Sequence, residues 1–283
     1  IFAIGTNASN IATTTRNKYT YSGNVVASAT AATVASSEGS AAGNSTVGIF
    51  ALGAAPTAST TRDKYTYAGD AVSAGGAATV ASRRGSAAGN STVGIFALGL
   101  APCRSTTRNK YTYSGCVVSA GGAATAATSL GSAAGNSTVG IFALGRTFEI
   151  VTTRDKYTYS GCAVSAGGAA TAASSQGSAV GNSTVGIFAL GFACGGPSST
   201  RNKYTYSGCV VAAGGAATVP AYLGSAAGNS TVGVFLLSYA NNCNSTTTNK
   251  YTYSGCTVAA GTAVTQAGQS SSAASNGTTG VNV

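Results

Sequence analysis

The stretch SAAGNSTVGIFALG, Ser132–Gly145, decides the fold, because the chain carries it over and over with few changes. Its phenylalanine serves as a marker: Phe2, Phe50, Phe96, Phe142, Phe188 and Phe235 follow one another at intervals of 48, 46, 46, 46 and 47 residues. A fixed period of that size is the signature of a solenoid or a propeller. Ser132–Ala134 predicts a short first strand of small residues, and Gly135–Asn136 a tight turn. Ser137–Gly145 predicts a second strand with Val139, Ile141 and Ala143 on one face and Phe142 and Leu144 on the other. Both faces are apolar, as in a strand covered on two sides.

Working outward, Arg154–Gly161 (RDKYTYSG) predicts a third strand. Tyr157 and Tyr159 share one face, and Arg154, Lys156 and Thr158 share the other. A Ser-Gly turn leads to a fourth strand over Cys162–Ala173. Small and buried, then large and buried, then amphipathic is the radial order of a propeller blade. The chain opens on a second strand (Phe2) and ends just past a first strand, Ser272–Gly280. A single domain over 1–283 is therefore expected: an all-β, six-bladed propeller of four-stranded antiparallel blades. Its C-terminal first strand would pair with the N-terminal strands and so remove the exposed edges. A linear β-solenoid is the competing architecture.

Glycine after the second strand, tyrosines in the third and four short strands per repeat resemble a kelch-type β-propeller. AAGNSTVGIFALG followed by TTRNKYTYSG resembles in particular the regular kelch-like repeats of hypothetical proteins from bacteria and from marine and cyanobacterial phages. That resemblance implies a virion-associated or cell-surface recognition role, and it implies no catalytic residue.

The residues themselves say little in favour of catalysis. There is no histidine among the 283 residues, and the five acids, Glu38, Asp63, Asp70, Glu149 and Asp155, form no cluster in the sequence. General acid–base chemistry is thus not expected. Asp63 and Asp155 simply alternate with Asn17, Asn109, Asn202 and Asn249 at one repeat position. Cys116, Cys162, Cys209 and Cys256 occupy one repeat position, and Cys103, Cys194 and Cys243 lie in loops. An odd count without a Cys-x-x-Cys pair argues against disulfides and zinc, so no metal or cofactor is expected. Free thiols suit folding in a reducing cytoplasm. The Asn-Ser-Thr sequons at Asn44, Asn90, Asn136, Asn182 and Asn229 read as hairpin turns. No apolar run reaches the ~18 residues of a membrane helix, and the sequence opens at Ile1 without a basic n-region, so a signal peptide, if there was one, is not in this sequence.

The net charge is +10, and it is organised by the repeat. Arg16, Lys18, Arg62, Lys64, Arg108, Lys110, Arg154, Lys156, Arg201, Lys203 and Lys250 are expected to girdle one rim. Variation points to a face. The turns after the first and third strands hardly change, whereas the loops after the second strand and the links between repeats differ freely. Those two loop sets are expected on one side, bearing a binding surface of Arg83, Arg84, Arg104, Arg146, Phe148, Ile150, Phe192, Tyr222, Leu223 and Tyr239. Arginines among aromatic residues favour a protein subunit of a larger assembly, with an anionic cell-surface glycan as the second partner class. Nucleic acid is disfavoured, since a girdle is not a groove and the tyrosines are expected to be packed. A virion or a cell surface is the expected location. A glycan-binding lectin is the alternative.

Overall fold

A computed structural model describes residues 1–276. Among these residues there is no helix. Six four-stranded antiparallel sheets are arranged as the blades of a propeller, with three smaller two- or three-stranded ribbons beside them. Blade 4 runs Ser132–Gly135, Val139–Ala143, Arg154–Thr158 and Ala163–Ala166 from the centre outward. Blades 2, 3, 5 and 6 repeat this pattern, with third strands beginning at Arg62, Arg108, Arg201 and Thr248. Blade 1 joins both ends of the chain. Phe2–Ala3 lies between Arg16–Thr20 and Ser272–Ala273, with Phe2 opposite Ala273. The expected first strand thus forms, and its continuation over 277–280 lies outside the described residues.

The repeat sequence explains each layer. The first strand is fully buried and is squeezed by its neighbours: a Cβ on Gly48 would come within 2.9 Å of the Ala274 Cβ. Gly, Ala and Ser fill these strands, with Val180 in blade 5 the one larger side chain among the described residues. The turn behind it is closed by asparagine. Asn44 Oδ1 accepts hydrogen bonds from Thr46 N, Thr46 Oγ1 and Val47 N at 2.9–3.0 Å, as an Asx turn does. Its Nδ2 then donates to the Ser91 carbonyl of the next blade at 2.9 Å, and Asn90, Asn136 and Asn182 do the same in turn. These sequon asparagines therefore have a structural occupation.

Two cyclic sets of hydrogen bonds close the ring. In the first, the amide of a threonine just after the fourth strand of each blade donates to an Asx side chain of the next. Thr33 reaches Asp63, Thr79 Asn109, Thr125 Asp155, Thr171 Asn202, Thr218 Asn249, and Thr265 Asn17, at 2.8–3.1 Å. In the second, the links between blades bond to one another through the backbone. Arg84 N donates to Glu38 O, Leu130 to Arg84, Gln176 to Leu130, Leu223 to Gln176, Ser270 to Leu223, and Glu38 to Ser270, at 2.8–3.2 Å. This wreath has no end, which an open solenoid could not achieve.

The cationic girdle is corrected by the structure. Arg16, Arg62, Arg108, Arg154 and Arg201 are each only 1% exposed. Alternation correctly puts Arg154, Lys156 and Thr158 on one face, but that face packs against the following blade. Arg154 Nη2 donates to Asn202 Oδ1 at 3.1 Å, and its guanidinium lies 4.6 Å from the centre of the Phe188 ring. Arg16 and Arg108 instead meet acids, Asp63 and Asp155, at 2.8 Å. Cation–π attraction and hydrogen bonding offset part of the desolvation of these charges. Desolvation still lowers Arg62, Arg154 and Arg201, whose partners are neutral asparagines, to about 10. Of the lysines, Lys18 is exposed, and Lys64, Lys110, Lys156, Lys203 and Lys250 are half-buried. Tyr65, Tyr111, Tyr157, Tyr204 and Tyr251 pack completely buried, as the sequence implies. The fourth strand is shorter than expected, ending at Ala166 in blade 4. The residues after it leave the sheet, and their threonine fastens the next blade.

Candidate functional site

The two flat faces of the ring differ in kind. On one lie the near-identical asparagine turns. On the other, the links between blades and the loops after the second strands pair with one another, as their shared variability implies. Ser37 bridges Ala54, Arg83 bridges Leu100, and Ser129 bridges Arg146. Ser174–Ser175 pairs with Phe192–Ala193, and Ala221–Tyr222 with Tyr239–Ala240. Every blade thus supplies a small ribbon built from its least repetitive residues.

The wreath sits at the centre of this face. Its six residues, Glu38, Arg84, Leu130, Gln176, Leu223 and Ser270, all have φ between 55° and 58°. That left-handed conformation costs about 1 kcal/mol or more for a residue with a Cβ. The cyclic bonds hold it in place, and a glycine follows in five of the six, Ser271 following Ser270. A Cβ on Gly131 would stand 2.2 Å from the Ala143 carbonyl oxygen. The backbone is therefore the same six times over, while the side chains all differ in setting. They line a cavity of about 370 Å³ together with Arg146, Gln269 and Ser271.

Charge is uneven around this cavity. Glu38 Oε1 accepts from Arg84 Nε at 2.8 Å and pairs with Nη2 at 2.7 Å, and Oε2 pairs with Arg83 at 3.3 Å. Two arginines thus saturate one acid. Arg146, tied to Ser129 by backbone bonds of 2.9 and 3.0 Å, is exposed and has no acid partner among the described residues. The rest of the wall includes Leu130, Gln176 and Leu223.

The ten residues expected to bind fall into groups. Arg84, Arg146 and Leu223 meet at the cavity, and Arg83 is held beside it. Phe192, Tyr222 and Tyr239 form a half-exposed aromatic row, with ring centres 5.8 and 5.0 Å apart. Phe148, 92% exposed, stands at the tip of the Arg146–Ile150 ribbon, with Ile150 half-buried beneath. Arg104 is exposed on the separate Leu100–Arg104 ribbon and joins no group. Glu38, Leu130, Gln176, Gln269 and Ser270 are cavity residues that the sequence reading leaves out. Their signal was present: Glu38, Leu130 and Gln176 stand before the same Gly-Ser pair as Arg84 and Leu223.

The seven cysteines are all free thiols, Cys103, Cys194 and Cys243 exposed on the ribbons and the other four half-buried between blades. No group of three or more His, Cys, Asp or Glu side chains suited to a metal occurs among the described residues. No helix among them is long and apolar enough to cross a membrane. No protein-family model matches this chain, and no curated protein sequence does either.

Proposed function

We propose that this protein is a non-catalytic recognition module of a virion or bacterial surface. It docks a protein subunit of a larger assembly through the ribbon-bearing face. One observation carries this reading: six-fold sameness breaks down on that face, where Phe148 stands almost wholly in solvent beside Arg146. Arginine and aromatic side chains on a rigid scaffold are the usual anchors of protein contacts, where a few residues supply most of the energy. The resemblance of the repeats to kelch-like repeats of bacterial and phage proteins supports the surface setting.

A photo-crosslinking residue at position 148, with one at the turn residue Ser91 as control, tests this in the native particle. A partner captured from position 148 and not from 91 supports the reading. With that partner in hand, Phe148→Ala or Tyr222→Ala should weaken binding about tenfold or more, as hot-spot truncations do. Lys110→Ala should change it less than about twofold, with moderate salt dependence. If reversing the lysines abolishes binding while the aromatic changes do nothing, the anchor assignment is wrong.

A further inference from the structure

The central cavity asks for an occupant of its own. We propose that it binds a carboxylate-bearing sugar residue, a uronate or similar acidic pyranose, independently of any protein docked on the ribbons. The first ground is size. At about 370 Å³ the cavity falls in the range of small-ligand sites, with room for roughly one or two pyranose rings.

The second ground is charge. Glu38 is already paired with Arg83 and Arg84, so Arg146 adds an unbalanced cation to the same cavity. Arg84 and Arg146 flank Leu130: its amide donates to the Arg84 carbonyl, and Arg146 is bridged to Ser129 next to it. A carboxylate entering here meets the Arg146 fork directly, and guanidinium forks match carboxylates in geometry. Glu149, exposed on the same ribbon as Arg146, is the other acid in the vicinity and lies outside the cavity lining.

The third ground distinguishes a sugar from a peptide. An extended peptide or its C-terminus is captured by free backbone amides. Here all six amides of the wreath are spent on one another. Recognition falls to side chains: Gln176 and Ser270 for hydroxyl groups, and Leu130 and Leu223 for the C–H face of a pyranose. Tyr222, adjacent to Leu223 and packed edge-on against Phe192 and tilted against Tyr239, offers an aromatic surface at the rim for the next sugar ring. Sugar C–H groups carry the partial positive charge that the face of an aromatic ring attracts.

The test uses the purified full chain and ligand-observed NMR titration with trigalacturonate, its methyl ester and a glutamate-terminated tripeptide. We expect trigalacturonate to bind with a Kd on the order of 1 mM. The ester and the peptide should bind about tenfold more weakly or worse. Arg146→Gln should weaken the acid about tenfold, the scale of one lost charge-assisted pair. Leu130→Trp, which fills the cavity, should abolish binding. Lys110→Ala removes one charge elsewhere and should stay within about twofold. Melting curves of both cavity variants verify that they fold. Equal binding of ester and acid, an Arg146→Gln variant like the parent, or no binding of the acid overturns the proposal. Preference for the peptide overturns it in favour of a peptide site. None of these outcomes depends on the partner captured through position 148.

Discussion

Five arginines that read as surface charge are wedges between blades. The sequence could not say so locally, because each wedge finds its partner about one repeat away. The signal was the Asp/Asn alternation, since the acid or amide at that position is the next blade's answer to the arginine. Charge balance then sets what a substitution costs. Arg108→Leu strands Asp155 buried without its cation, which should cost about 3–5 kcal/mol. Arg154→Leu removes a charge whose partner is neutral Asn202, and should cost about 2 kcal/mol or less. Asp155→Asn copies the natural Arg–Asn arrangement and should cost less than Arg108→Leu. Urea midpoints of the three variants give the order, and equal losses for the two arginine variants would remove charge as the discriminator. Titration acts at the same joints. Burial, with the neighbouring cysteine as the next cause, pushes Tyr111, Tyr204 and Tyr251 up to about 12. Folded phenols keep protons that unfolded ones lose near 10, so their contribution is complete below about pH 10 and drains as pH rises through about 12. Arg62, Arg154 and Arg201 act oppositely. Burial lowers their folded pKa below the unfolded one, so their contribution changes in the opposite sense, growing as pH rises above about 10. Raised tyrosines outnumber these arginines, with Tyr21, Tyr67, Tyr113, Tyr159, Tyr206 and Tyr253 also deeply buried. The melting temperature should therefore fall above about pH 10, with the tyrosinate absorbance of the buried rings appearing at unfolding.

At the scale of elements, strands and turns were legible because each is set by near neighbours: alternation, Gly-Asn, Ser-Gly. What holds blade to blade was not, because it pairs positions far apart in sequence. After the fourth strand, Gly76, Gly122, Gly168 and Gly215 each lie against a cysteine of the next blade. A Cβ on Gly76 would stand 2.1 Å from the Cys116 carbonyl oxygen, and the Gly76 amide donates to the Tyr111 hydroxyl at 3.3 Å. At two joints the pair is different. Thr30 faces Asp70, and Thr262 faces Asn24. There the threonine amide donates to Oδ1, its hydroxyl donates to the backbone carbonyl, and the tyrosine hydroxyl bonds to the same Asx. Glycine goes with cysteine, and threonine with Asx. Gly76→Thr alone should cost about 2 kcal/mol or more through overpacking. Adding Cys116→Asn should recover part of that loss, with a coupling of about 1 kcal/mol in a double-mutant cycle. Strictly additive losses would show that the two positions do not answer each other.

For the whole molecule, the period of the phenylalanine marker was enough to anticipate six blades and a seam between the two ends of the chain. The cavity was not visible, because its residues are separated by whole repeats and meet only once the ring is closed. The seam is stitched by Phe2 opposite Ala273 and by the amide of Ala274 donating to the Ile1 carbonyl at 3.0 Å. Ending the chain after Ser271 should expose the Phe2–Ala3 edge and uncover the Phe2 and Ile4 cluster. The truncated protein should aggregate or melt at least about 5 °C lower, the shift of roughly 1 to 2 kcal/mol or more in a chain of this size. Melting unchanged from the parent would mean that the last strand is dispensable to the ring.

The pairing of glycine with cysteine has a consequence for how such a gene can change length. Blades 3, 4 and 5 each receive a neighbour through cysteine and pass on through glycine: Cys116 and Gly122, Cys162 and Gly168, Cys209 and Gly215. They are interchangeable units. A copying slip that duplicates or drops one of them leaves every contact between consecutive blades chemically matched. The same slip across blade 2, with Asp70 and Gly76, or across blade 6, with Cys256 and Thr262, sets a threonine against a cysteine or a glycine against an Asx. Mutation can thus experiment with ring size in the middle of the coding sequence, while the two blades on either side of the one that carries both chain ends are each held to a single copy.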